Sequence, residues 1–104
     1  MKSKKELVDL FLGQNSIPKY IFGTNAHGLV IARRIGGGVT FIDEYNKNDL
    51  YEGYPVIHDL KKVPSNAMVL NCVWCHFPIT VRKKLDEAGV TNVDVHAFIN
   101  YSDI

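Results

Sequence analysis

The apolar positions of this chain fall into short clusters of two kinds, separated by polar and glycine-rich breaks. Leu7, Leu10 and Phe11 recur at helical spacing behind Ser3 and Glu6, a Ser-x-x-Glu capping box, and Gly13 stops the run, so residues 1–16 are expected to form a leading helix and connector. Tyr20-Ile21-Phe22, closed by Gly23, is short and β-prone and predicts a buried strand. Leu29, Val30, Ile31, Ala32 and Ile35 predict an apolar helix that ends at Gly36-Gly37-Gly38. Val39-Thr40-Phe41-Ile42 is a second strand, finishing on Asp43-Glu44. A polar segment covers 45 to 53, followed by a short extended piece at Tyr54-Pro55-Val56-Ile57. Ala67-Met68-Val69-Leu70-Asn71-Cys72 is a core strand. Pro78, suited to a first helical turn, precedes Val81, Leu85 and Ala88, with Gly89 as the stop. Val93, Val95, Ala97 and Phe98 predict the last strand.

Strands alternating with helices require long crossovers and hence parallel pairing. The expected fold is α/β, a small three-layer Rossmann-like domain with a mainly parallel sheet and an extra N-terminal helix. One domain covers 1–104, with 17–104 as its core. Right-handed crossovers bring the carboxyl ends of the strands to one edge, where open α/β sheets bind ligands. Gly23, Asp43 and the segment after Asn71 are expected to meet there.

Composition narrows the partners. Among 104 residues, 12 Lys+Arg oppose 11 Asp+Glu, and 46% of positions are hydrophobic. A net charge of +1 leaves no footprint for a phosphate backbone, and no apolar run has membrane-spanning length, so neither nucleic acid nor a membrane is expected. No signal peptide is recognisable, which makes the cytoplasm the expected location.

The first chemistry-bearing segment is Gly23-Thr24-Asn25-Ala26-His27-Gly28, between strand and helix. In a dinucleotide fold the first glycine makes the tight turn, the second admits the pyrophosphate and the third lets helix and strand pack closely. Gly23 and Gly28 fit the first and third roles. Asn25 stands where the second glycine belongs; it tolerates a left-handed backbone, but its side chain takes space that a pyrophosphate needs. The helix N-terminus beyond it favours an anion. Asp43 lies twenty residues after Gly23, where an acid commonly accepts hydrogen bonds from ribose hydroxyls. The simpler alternative is a tight turn, with Asp43 capping the loop that follows. His27 beside the turn suits ligand binding better than proton transfer, since no acid in local sequence orients its ring. The basic pairs Arg33-Arg34 and Lys61-Lys62, and the run Arg82-Lys83-Lys84, are expected to be solvated helix faces.

These stretches, together with Phe41-Ile42-Asp43-Glu44 and Gly53-Tyr54-Pro55-Val56, resemble the N-terminal domain of two related groups: FkbM-type S-adenosylmethionine-dependent methyltransferases and PglD-type sugar acyltransferases. The resemblance covers most of 19–104. It implies a module for a nucleotide-sugar or related nucleotide, with Gly23, His27 and Gly28 at the phosphate end and Asp43 near the base or ribose. It also implies a downstream catalytic domain, because this chain has neither a second cofactor motif nor hexapeptide repeats. No catalytic residue is assigned.

Asn71-Cys72-Val73-Trp74-Cys75-His76 is open to several readings. Cys-x-x-Cys-His is the haem-attachment pattern, but haem belongs with an export signal. A redox dithiol would need a lowered thiol pKa. Zinc could use Cys72, Cys75 and His76, with His58 or His96 as a fourth ligand only if the fold brings one near. The simplest reading makes Cys72 a small hydrophobe at a strand end, with Trp74 free to stack on a base or sugar. The candidate binding set is therefore Gly23, Thr24, Asn25, His27, Gly28, Asp43 and Trp74. A nucleotide-like small molecule, bound as a nucleotide-sugar or dinucleotide, is the expected partner; self-association is left open. The alternatives are an interaction module with a degenerate pocket and a redox or metal module on Cys72 and Cys75.

Overall fold

The structure is a computed structural model that describes residues 4–13, 16–73 and 78–96. In chain order the elements are helix α1 (Lys4–Gly13), strand β1 (Lys19–Phe22), helix α2 (Ala26–Ile35), strands β2 (Val39–Ile42), β3 (Leu50–Tyr51) and β4 (Tyr54–Ile57), a 3-10 turn (Leu60–Lys62), strand β5 (Met68–Asn71), helix α3 (Pro78–Glu87) and strand β6 (Asp94–His96). They build a six-stranded sheet of order β3-β4-β2-β1-β5-β6. Every pair is parallel except β3 with β4. The strand order reverses between β1 and β5, which makes that junction the topological switch point of a Rossmann-like α/β domain.

Period-two alternation divides the buried residues between the two faces. Ile21, Val39, Phe41, Val56, Met68 and Leu70 pack against Phe11 of α1 and Ile31 and Ala32 of α2. Phe22, Ile42 and Val69 face the other way, onto Val81 and Leu85 of α3 and Leu60 of the 3-10 turn. The expected three layers are thus present; among the described residues, one helix and one turn cover the α3 side.

Two devices fix the outer elements. The ammonium of Lys19, almost fully buried, donates to the Leu12 carbonyl at 3.0 Å and lies 5.7 Å from the Phe11 ring centroid. A cation there complements the C-terminal dipole of α1 and satisfies an orphan carbonyl. Burial pushes the Lys19 pKa below its usual value. On the opposite flank, Arg82 of α3 binds the Asp86 carboxylate and donates to the Val90 carbonyl at 2.9 Å and to the Val93 carbonyl. Arg82 is therefore a tie between α3 and the start of β6, where a solvated face was expected; its side chain is only 27% exposed.

The 45 to 53 segment contains a strand that its polar character concealed. Leu50 and Tyr51 pair with Pro55 and Tyr54 across a two-residue turn, Glu52-Gly53, in which both residues have positive φ, 50° and 86°. That is the primed hairpin geometry whose twist matches the strands. Phe41 meets Tyr51 and Tyr54 in T-shaped contacts, with centroids 5.2 and 5.8 Å away, so the hairpin is anchored on the core. No α-helix links β2 to β4 or β4 to β5; between the latter Asp59 caps the 3-10 turn by accepting from Lys61 N–H. Ser3, Ala97 and Phe98 lie outside the described residues. Among the described residues, no helix is long and apolar enough to cross a membrane.

Candidate functional site

The carboxyl ends of β1, β2 and β5 are sewn into one edge. Gly23 N–H donates to the Ile42 carbonyl at 2.9 Å, and Cys72 N–H to the Phe22 carbonyl at 3.0 Å. Gly23 turns the chain out of β1 with φ of +108°, and a Cβ there would stand 2.6 Å from Val73 Cγ2. Gly28 has the packing role expected of it: a Cβ would meet Ile21 Cγ2 at 2.8 Å and Phe41 Cε1 at 3.1 Å. Both positions require the absence of a side chain, the first for its backbone as well.

Asn25 behaves differently from the expectation of a left-handed turn residue. Its backbone is extended, at φ −146° and ψ 175°, and it is the N-cap of α2. Its Oδ1 accepts from Gly28 N–H at 3.0 Å, while its Nδ2 donates to the Cys72 carbonyl at 2.8 Å. One side chain therefore caps the helix and bridges the switch point to the end of β5. It occupies the position from which helix N–H groups would address an anion.

Thr24 and Asp43 form a second knot. Asp43 Oδ2 accepts from Thr24 Oγ1–H at 2.6 Å and Thr24 N–H at 3.3 Å; Oδ1 accepts from Tyr45 N–H at 2.9 Å and Asn46 N–H at 3.0 Å. Asn46 Nδ2 in turn donates to Thr24 Oγ1 at 3.1 Å. Partial burial raises the Asp43 pKa, but these bonds, led by the Thr24 hydroxyl, outweigh it and hold the carboxyl below its usual value. Asp43 thus caps the loop that follows it and ties that loop to the glycine turn. A ribose would have to share a carboxylate that already accepts four hydrogen bonds.

Between these knots lies a cavity of about 110 Å³. The buried Phe22 and Ile42 and the half-buried Val73 contribute its apolar wall, with Gly23, Asp43, Glu44 and Tyr45 completing the lining. Lys84 of α3 binds Glu44 at 3.1 Å, holding this rim to the helix. The space suits one flat ring; a pocket for a whole drug-sized ligand spans roughly 300–1,000 Å³. A larger, shallower depression of about 470 Å³ lies at the other end of β2, lined by residues 36–40 and 52–55, and contains none of the candidate residues.

His27 sits half-buried on the first turn of α2. Trp74, Cys75 and His76 lie outside the described residues. Cys72 is fully buried, and burial pushes its thiol up to about 12. That direction is opposite to what a nucleophilic dithiol requires. Among the described residues no group of three or more His, Cys, Asp or Glu is disposed to hold a metal ion.

Sequence reasoning did not single out Asn46, nor His58 as a partner of Asp43 and Asp49. Asn46 is recognisable in retrospect as an Asx-type turn residue, its Oδ1 accepting from Asn48 N–H two positions on. His58 had no local signal, because its partners are nine and fifteen residues away. No protein-family model, curated protein or solved structure matches the chain.

Proposed function

We propose that this domain binds a nucleotide or nucleotide-sugar at the carboxyl edge of its sheet, as an accessory module of a methyltransferase or another sugar-modifying transferase, and performs no chemistry itself. The observation that carries the reading is the cavity beside the switch point, walled by Phe22, Ile42 and Val73 with Gly23 and Asp43 at its lining. Ligands of open α/β sheets lie in this crevice, and an apolar slot edged by a carboxylate suits a base or sugar ring. Because Asn25 fills the cap of α2, any phosphate of the ligand would lie outside the glycine turn rather than on the helix N-terminus.

A second reading, an interaction module that has kept the fold without a ligand, is favoured by a different observation. Asn25 and Asp43 both have their hydrogen bonds met within the protein, so the edge is stable without a guest. Calorimetry of the purified chain against UDP-sugars, NAD and S-adenosylmethionine separates the two. Saturable heat with a nucleotide is expected under the first reading; no heat with any of them at millimolar ligand favours the second.

A further inference from the structure

The loop 43–49 has a narrow neck, and one side chain spans it. At one side Asp43 N–H donates to the Ile57 carbonyl at 3.0 Å; at the other the Asp49 carbonyl accepts from Val56 N–H at 2.9 Å. His58, the residue after β4, reaches both sides: its Nδ1 lies 3.0 Å from the Asp43 carbonyl oxygen and its Nε2 3.3 Å from Asp49 Oδ1. Inside the neck the loop is held by short-range turns, with Tyr45 and Asn46 N–H on Asp43 Oδ1 and Asn48 N–H on Asn46 Oδ1. Asp43, Glu44 and Tyr45 of this loop line the cavity.

The two partners of His58 are both acceptors. A neutral imidazole carries one N–H and can donate to only one of them, leaving a lone pair facing the other. An imidazolium donates to both. We propose that His58 is a proton-operated clasp on the neck of the 43–49 loop, closed across Asp43 and Asp49 when the ring is charged and released from Asp49 when it is neutral, so that acidity tightens the rim of the cavity.

The charged groups acting on the ring are the Asp49 and Asp43 carboxylates from the loop. On its own segment, the Asp59 carboxylate is engaged in capping the 3-10 turn, and Glu44 of the loop pairs with Lys84 of α3. The hydrogen bond to the Asp43 carbonyl raises the His58 pKa above 6.5; desolvation opposes it, and the hydrogen bond and charge of Asp49 add to the rise. A folded pKa raised in this way means that the tie is complete below the unfolded value and is lost as pH rises through the folded one, a window that lies above 6.5. The Asp49 side chain is 93% exposed, so the effect is a local one on the loop.

The clasp does not depend on which ligand, if any, the cavity takes. It is tested by amide hydrogen exchange of the whole chain by NMR, read as protection factors to remove the intrinsic pH dependence. The expected result is a fall of about two- to fivefold in protection at Tyr45, Asn46 and Asn48 as pH rises through the His58 titration midpoint, with β1 and β5 amides unchanged. In His58→Gln the fall should vanish. In Asp49→Asn, which keeps the Asp43 tie, it should shrink, and the His58 midpoint should move down towards 6.5. A wild-type loop without the fall, an undiminished fall in either variant, or a wild-type midpoint at or below 6.5 would overturn the proposal.

Discussion

Removing the Asn25 side chain breaks two connections that differ in range, and two variants separate them. The Oδ1 acceptor caps α2 through Gly28 N–H, and the Nδ2 donor crosses to the Cys72 carbonyl. An N-cap truncated to Ala costs about 0.5–2 kcal/mol, and a lost neutral hydrogen bond at a partly buried carbonyl costs about 0.5–1.5 kcal/mol. Asn25→Ala should therefore destabilise the domain by about 2 kcal/mol. Asn25→Ser retains a good cap but has no donor long enough for Cys72, so it should lose only about 1 kcal/mol. Urea denaturation reads both: with a slope of about 1 to 1.5 kcal/mol/M for a domain this small, the Ala midpoint should fall by about 1.5 M and the Ser midpoint by roughly half that. A Ser variant as stable as the wild type would refute the bridge across the switch point. An Ala variant within about 0.5 kcal/mol of wild type would refute the cap as well.

Gly28→Ala should lower the melting temperature by several degrees, because the gain of about 1 kcal/mol in helix propensity is outweighed by forcing a methyl against the fully buried Ile21 and Phe41. An unchanged or raised melting temperature would contradict that packing. Asp43→Asn leaves one acceptor oxygen where a carboxylate had two, and should cost about 1–3 kcal/mol at neutral pH by urea denaturation. Since the folded Asp43 pKa is lowered, its contribution is present above the unfolded value near 3.8 and is lost as pH falls through the folded one. The gap between wild type and Asp43→Asn should accordingly narrow below about pH 4; a constant gap argues against the carboxylate's role. Cys72, buried with a thiol at about 12, should resist a thiol reagent at pH 8 until the chain unfolds, as followed by peptide mapping. Rapid native-state labelling at Cys72 would refute its burial.

Local patterns carried most of the fold. The β1 and β2 runs, closed by Gly23 and Asp43, gave two strands that the structure pairs in parallel, with Ile21 beside Phe41 and Phe22 beside Ile42. The glycines at 23 and 28 were legible because each answers a steric demand set by its own turn. The β3 strand was hidden because Leu50 and Tyr51 stand among Asn46, Asn48, Asp49 and Gly53, whose side chains and backbones favour turns. Long-range polar ties were not legible at all. That Asn25 reaches Cys72, 47 residues away, and that Arg82 leaves the solvated face to bind Val90 and Val93 carbonyls, are consequences of packing that no local spacing encodes. At the site, the capping of the following loop by Asp43 was legible as the simpler alternative, but the tie of Asp43 to Thr24 and of Asn25 to Cys72 was not.

The most direct measurement is a titration of the isotopically labelled chain with a UDP-sugar, followed by amide chemical shifts. Binding at the carboxyl edge predicts saturable shifts at Gly23, Thr24, Asp43, Tyr45 and Val73, with the depression at 36–40 and 52–55 unmoved. Shifts confined to that depression, or none with any nucleotide at millimolar concentration, would contradict a ligand site beside the switch point.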